Sequence, residues 1–446
     1  MAMKLAMPIM IQNLISTLVS TADTLMLGYV SQTAMSASSL ANQFVFVLFC
    51  FYYGLATATS VMCAQYWGKG DKKSIERIMG MATALSLGIS VLFFAVSFFC
   101  PRFVMTIFSA EEGVIELGAQ YLKVVSVSFV FMGISQVYTS AQRSIGKVVF
   151  PSALYVVSLC VNVFLNAAFI FGFFGLPKLG VVGVALGTVA ARVVEVLLSI
   201  IHSVFTSEVK MRVKYIFSRA GILFKDFVVI AFPSIGNDIV WSLASSVFAI
   251  ILGHLGNDVV AANSVAVMVV NIGAIATRGF ANATTIIISQ NLGNNKMEEA
   301  KVYAGRMIRL TLYVALVGCG VIMLVRPLMV DFYSDKLTPV ALGYLKLMLI
   351  MNTWRLIGEG VNTCLICGCF RGGGDTKFGL YMDLFMMWGV AIPIMAAVAY
   401  IFKLSPMWVY LAMTLDEIEK MPVIFRHYFK FNWMKNITRD ERELTA

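Results

Sequence analysis

"PIMIQNLISTLVSTADTLMLG", residues 8–28, returns 225 residues later as "PSIGNDIVWSLASSVFAIILG", residues 233–253. The same shift, without a gap, carries Pro8–Gly80 onto Pro233–Gly305, and 16 of these 73 positions are identical. This composition would give about six by chance. Pro8/Pro233, Gly28/Gly253, Gly54/Gly279, Gln65/Gln290 and Gly80/Gly305 are among the identities. The echo continues more weakly, with "YLK" at 121 recurring at 344 and "RSIG" at 143 returning as "RGGG" at 371. The chain reads as two copies of one unit.

Composition says what that unit is made of. The 446 residues are 59% hydrophobic and 13% charged, with a mean hydropathy of +0.83. A soluble domain carries about 25% charged residues. Apolar runs of about 20 residues, enough to cross a bilayer as a helix, recur throughout. Twelve spans are expected, over residues 5–30, 39–66, 77–100, 117–143, 150–174, 181–204, 228–253, 262–291, 306–330, 344–370, 378–402 and 407–429. The fold class is therefore all-α, a polytopic membrane protein of two pseudo-symmetric six-helix lobes. The expected division is an N-terminal lobe at 1–204, a cytoplasmic linker at 205–227, a C-terminal lobe at 228–429 and a cytoplasmic tail at 430–446. Met1 leads almost directly into an apolar run, so no cleavable signal peptide is expected. Six is an even number, so both lobes enter from the same side. That makes a parallel repeat, an arrangement that binds substrate between halves and rocks to alternate access.

Lys and Arg set orientation. With the N-terminus inside, 23 of them fall on cytoplasmic segments and seven outside, the inner set including Lys69, Lys72, Arg143, Lys210, Arg371 and Lys420. Both termini are expected to be cytoplasmic, in a plasma membrane. The net charge of +10 is thus a topology signal. No basic domain with interleaved aromatics suggests nucleic acid.

Enzyme chemistry has little to stand on. The three histidines (202, 254, 427) lie near helix ends or in the tail, and no HExxH, GxSxG or phosphate-binding loop occurs. "CLICGC" at 364–369 contains a CxxC without the second pair or nearby histidine a zinc site needs. It reads as small packing residues. The eight cysteines lie mostly in apolar runs, and no disulfide framework is expected. No cofactor is expected either.

Several motifs occur in a recognisable order: "LAMPIMIQNL" and "DTLMLG" in helix 1, then "AQYWGKGD" after helix 2. "NVFLNAAFIFGFFGLPKLGVVGVALGT" follows across helices 5 and 6, with "RGGGDTKFG" and "DLFMMWGVAIP" around helix 11. On these the chain resembles, over nearly its whole length, the multidrug and toxic compound extrusion (MATE) family of cation-coupled antiporters. The resemblance implies a V-shaped, two-lobed transporter. It would export amphiphilic, often cationic small molecules against an inward flow of H⁺ or Na⁺. Lipid-linked flippases share the broader fold, and a flippase for a lipid-linked or peptide-derived substrate is the alternative function. A monomer in the lipid bilayer is expected.

A carboxylate at mid-helix costs about 2.5–3.5 kcal/mol on insertion scales. Asp23 is such a residue. Its repeat partner is Phe248, so the shared architecture does not demand an acid there. Asn13, Ser16, Thr17, Ser20 and Thr24 share its arc of the helix. At a similar expected depth lie Asn162 and Asn166, one turn apart in helix 5, and Thr188 in helix 6. These four residues, Asp23, Asn162, Asn166 and Thr188, form the expected N-lobe cation site. A desolvated acid there would carry a proton, and an ionised one flanked by amide and hydroxyl oxygens would hold Na⁺. The resemblance adds that Asp23 matches the family's helix 1 acid and Asn162 its helix 5 asparagine. Some members carry Asp four residues later, where this chain has Asn166.

The C-lobe has its own intramembrane charges: Asp238, Arg278, Arg355 and Glu359. Arg355 and Glu359 are four apart and can pair on one face. The four sum to zero, and read either as a packing network or as a second cation or substrate site. Family members of one branch use acids in helices 7 and 10. Asp238 and Glu359 each stand about one position from that alignment. Arg192 and Glu195 read as a structural pair, and Asp375 as a loop or cap residue. Asp416, Glu417, Glu419 and Lys420 crowd helix 12 and have no assigned place.

Overall fold

The computed structural model describes residues 5–12, 26, 31–175, 177–205, 208–218 and 221–440, and among them every regular element is helical. The first helix, α1, is seen over residues 5–12. It is followed by α2 (Gln32–Lys69), α3 (Lys72–Phe99), α4 (Pro101–Phe108), α5 (Glu112–Val125), α6 (Val127–Ser144), α7 (Val149–Phe171), α8 (Gly180–Phe205) and α9 (Val213–Ile216). Then come α10 (Gly221–Gly253), α11 (Asn257–Gly293), α12 (Met297–Phe332), α13 (Pro339–Thr363), α14 (Thr376–Asp383), α15 (Ile392–Ala396), α16 (Pro406–Glu419) and α17 (Met421–Lys430). Residues 364–370, 384–391 and 397–401 continue these helices with π-type winding.

Nine of the described helices are long and apolar enough to cross a bilayer, and α5 with α6, bent by 49°, makes a tenth. The first expected span, 5–30, is described only over 5–12 and at Met26. The twelfth is broken: α16 stops at Glu419 and α17 starts at Met421, with Pro422 in its first turn. Proline has no N–H to continue the ladder, so it sits where a helix begins.

Local chemistry sets the ends. Ser31 starts α2 by accepting the Ala34 N–H at 2.9 Å. Gly70, at φ +84°, stops it and returns its N–H to Tyr66 and Trp67. That left-handed conformation suits glycine. The next residue, Asp71, caps α3 through the Ser74 N–H at 3.0 Å. The motif "GKGD" is thus a stop and a start.

The chain divides into two compact units. Unit 1 comprises Met1–Met10 and Phe232–Thr438, and unit 2 comprises Ile11–Ala231 and Arg439–Ala446.

Within unit 1, α11 lies close against α13 and its π continuation. Gly360, Cys364, Gly368 and Gly372 recur every fourth residue and face threonines of α11. A Cβ at Gly360 would meet Thr277 at 3.0 Å, and one at Gly368 would meet Thr284 at 2.9 Å. Thr285 donates to the Cys367 carbonyl (2.7 Å) and Ser289 to that of Gly372 (2.8 Å). Helices in lipid associate by such close backbone approach, since lipid supplies no hydrophobic drive between them. "CLICGC" is therefore packing material, with Cys364 wholly buried. Beyond it, "RGGGD" seats the tail. Trp433 is fully buried against Gly373, whose carbonyl accepts the Lys435 N–H at 3.0 Å. Asp375 stands at the N-cap of α14 but gives its carboxylate to His427 (2.9 Å) and Lys435 (3.5 Å).

Within unit 2, Gly133 allows α6 to close on α2 and α3. There Tyr52 shares a 2.7 Å hydrogen bond with Ser90 and donates to the Phe129 carbonyl at 2.9 Å. Near the end of the described tail Arg439 makes a fork on Asp226, at 2.5 and 2.9 Å, with its N–H donated to Tyr66. The repeat glycines divide by role. Gly80 and Gly279 face Tyr215 and Met10 too closely for any side chain, whereas a Cβ at Gly253 would meet nothing within 4 Å.

Candidate functional site

Asp23 lies outside the described residues. Its expected companions are brought together in unit 2. Antiparallel packing of α7 on α8 places Asn162 and Asn166 against Thr188. Asn166 Nδ2 donates to Asn162 Oδ1 and Asn162 Nδ2 to Thr188 Oγ1, both at 3.3 Å. Thr188 in turn donates to the Val184 carbonyl at 3.1 Å. Asn166 is fully buried and Asn162 nearly so. Ser158, one turn on from Asn162, reaches the Ala191 carbonyl at 3.3 Å. The helix pair is thus stitched by polar contacts on one face. Desolvated amides are costly unless bonded, so this row fixes a geometry.

Gly187 makes the row possible, and the sequence reading missed it. A Cβ there would overlap Asn166 Oδ1. The neighbouring Thr188 was the available hint, because close helix approach needs a small residue beside it. Gly187→Ala is expected to push Asn166 out of the row and to cost about 1–3 kcal/mol of stability. Thermal unfolding in detergent measures this. Gly253→Ala, at a position with open space, is the control and should be near neutral. Equal effects of the two substitutions would contradict the close contact.

Further along α8, Arg192 Nη1 and Glu195 Oε2 pair at 2.6 Å. His202 Nδ1 shares a 2.7 Å hydrogen bond with the Tyr138 hydroxyl, and its ring stacks on Phe150 at 3.6 Å.

Unit 1 holds a larger network than the four charges read from sequence. Asp238 pairs with Arg371 at 2.9 Å. Arg371 also donates to Asn237 Oδ1 (2.6 Å), and Asn237 Nδ2 donates to Asp383 (2.6 Å). Asp383 meets Lys420 at 3.3 Å, and Lys420 meets Asp416 at 2.8 Å. The result is one chain of contacts from α10 through the ends of α13 and α14 to α16. Two further pairs lie in the same unit. Glu359 takes Arg278 at 3.0 Å, and Asn362 donates to Glu417 at 2.9 Å. Arg355, expected as the partner of Glu359, makes no ion pair among the described residues. The packing of α11 against α13 brings Arg278 to Glu359 instead.

Counted by formal charge, this chain of contacts and the two further pairs, with Arg355 one turn before Glu359, hold five carboxylates (Asp238, Glu359, Asp383, Asp416, Glu417) and four cationic side chains (Arg278, Arg355, Arg371, Lys420), one acid more than bases. Asp416, Glu417 and Lys420 are buried, which places the helix 12 charges that had no assignment; Glu419 is half-buried. Asp383 and Arg371 were missed. The two π-wound stretches at 364–370 and 384–391 abut Arg371 and Asp383. Such winding inside long helices turns side chains off the regular face, often at functional positions. Among the described residues no group of three or more His, Cys, Asp or Glu is placed to hold a metal ion.

One family model, MatE, matches twice, over residues 8–168 and 233–397. The second match begins at the shift of the internal repeat. The chain is 24% identical over 446 residues to the uncharacterized transporter YisQ of Bacillus subtilis, covering 97% of this chain and 94% of that one. It is 25% identical over 443 residues to the probable multidrug resistance protein NorM of Thermotoga maritima, covering 98% and 94%. Among solved structures, a MATE crystal structure in the bent conformation superposes with a TM-score of 0.88 at 19% identity, covering 98% of this chain and 96% of that one. A MOP superfamily transporter from Pyrococcus furiosus, described as having a binding pocket of reversed polarity, superposes at 0.86 with 20% identity, covering 97% and 96%. With its two matched halves, the all-helical fold of its described residues and its apolar spans, the chain belongs to the MatE family of multi-pass membrane transporters.

Proposed function

We propose that the protein is a secondary antiporter. It exports small amphiphilic, cationic organic compounds in exchange for inward H⁺ or Na⁺, by alternating access between its two halves. In this reading it works as a monomer, with residues 1–204 and 228–429 as the six-helix lobes. Both termini and the 205–227 linker lie on the cytoplasmic side of the plasma membrane.

The observation that carries the reading is the charge balance in unit 1. A buried charge without a partner is expensive in protein and more so in lipid. One bound monovalent cation, a proton or Na⁺, restores neutrality. Acceptor positions are open for it: Asp238 Oδ2 and Asp416 Oδ1 are buried without a hydrogen-bond partner among the described residues. In unit 2 the proposal assigns cation coupling to Asp23 with Asn162, Asn166 and Thr188. Amide and hydroxyl oxygens are hard donors suited to an alkali cation, and the same acid protonated becomes neutral. Relatives named as multidrug resistance proteins support small-molecule export, and the amphiphilic, cationic class follows from the resemblance to the MATE family. An amphiphilic cation competes by charge with the coupling ion, and that competition is what exchange requires.

The test is uptake of a fluorescent lipophilic cation into everted vesicles, where export from the cytoplasmic face fills the lumen, with the pH and Na⁺ gradients imposed separately. Transport is expected to follow one of them and to stop when that gradient is collapsed. Export indifferent to both overturns the proposal.

A further inference from the structure

The linker between α8 and α10 is not an ordinary polar loop. Its backbone is fastened to unit 2. The buried Glu76 of α3 accepts the Lys210 N–H at 3.2 Å and pairs with Arg212 Nε at 2.6 Å. The Met211 N–H is held by Ser203 at 2.8 Å. Tyr215 lies so close to Gly80 that no side chain would fit there. Held this way, the segment presents Val213 and Phe217 outward, the latter 86% exposed, and Phe205 at the end of α8 is 84% exposed. These two phenylalanines are the most exposed large apolar side chains among the described residues. Apolar surface left in water forfeits about 25 cal/mol per Å².

The charges around them are one-sided. The acids nearby are already spent: Glu208 pairs with Lys147 at 2.9 Å, and Asp226 with Arg439. Lys210 and Lys214 are exposed and make no ion pair among the described residues. The segment joins two helices long and apolar enough to cross a bilayer, one ending at Phe205 and the next starting at Gly221, and a connection between two such helices lies toward the membrane–water interface. Exposed aromatics interleaved with unpaired lysines at that level match a lipid interface, apolar groups among acyl chains and ammonium groups at the headgroups.

We propose that residues 208–218 form a fixed ledge that binds anionic phospholipid headgroups through Lys210 and Lys214, with Val213 and Phe217 seated in the acyl region. The inference rests on the spans and the linker geometry and stands apart from the transported substrate.

The test is hydrogen exchange of the full-length protein in nanodiscs of phosphatidylcholine, alone or mixed with phosphatidylglycerol. Exchange over 208–218 is expected to slow with the anionic lipid by about 30-fold, about fivefold for each lysine. The slowing should vanish in high salt and in the double variant Lys210→Gln/Lys214→Gln, whose substitutions touch only exposed side chains. Phe217→Ser should raise exchange in both lipids. Equal exchange in the two discs overturns the proposal. So does protection that persists in the double variant, or protection that inorganic phosphate reproduces in phosphatidylcholine alone.

Discussion

Lys420→Met is expected to lower the unfolding free energy of the detergent-solubilised protein by about 3–5 kcal/mol, the usual cost of breaking a buried ion pair. Lys420 is only 2% exposed, and its ammonium is shared by Asp416 at 2.8 Å and Asp383 at 3.3 Å. Removing it leaves two desolvated carboxylates facing each other across the end of α16, in a network that already holds one acid too many. Methionine keeps most of the volume, so the loss reports charge more than packing. Adding Asp416→Asn should return most of the stability, because the pair is then removed as a unit. A cost under about 1 kcal/mol for Lys420→Met would mean the cluster is hydrated like a surface, and the charge argument would fall with it.

The second large effect concerns Asp23. Asp23→Asn is expected to abolish gradient-driven export while leaving expression and thermal unfolding near wild type. Asparagine keeps the shape and hydrogen-bonding capacity but can neither carry a proton nor balance Na⁺. Full transport by this variant would make Asp23 a structural residue and move the coupling site to unit 1. The paired measurement on Asp416→Asn locates the alternative, since that residue has an open buried acceptor.

Much of the fold was legible because membrane helices advertise themselves. Runs of about 20 apolar residues and the 225-residue repeat are long signals, and the matched family model starts at the same two prolines, Pro8 and Pro233. The row Asn162, Asn166 and Thr188 was also readable, since four-residue spacing fixes a helix face and a polar face in lipid must find partners. Two things were not. Arg371 and Lys420 were counted among cytoplasmic charges because they sit at helix ends, where Lys and Arg usually meet water. The structure folds both inward onto acids, Asp238 for one and Asp383 with Asp416 for the other. The inside-rich bias of Lys and Arg survives their removal from the count. The pairing of Glu359 likewise went to Arg278, a contact between residues 81 apart in sequence. Local spacing offers Arg355, and only the packing of α11 on α13 offers the other. Gly187 and the π-wound turns beside Arg371 and Asp383 belong to the same class, features decided by neighbours rather than by the helix that bears them.

The central claim is that a cation held inside the membrane is exchanged for an organic cation. The most direct measurement is ion release on substrate binding. The purified protein is loaded at neutral pH or with radioactive Na⁺, and a lipophilic organic cation is added. Release of H⁺ or Na⁺ in step with binding is the expected result, reduced in Asp23→Asn. Saturable binding of the organic cation with neither ion released would contradict it.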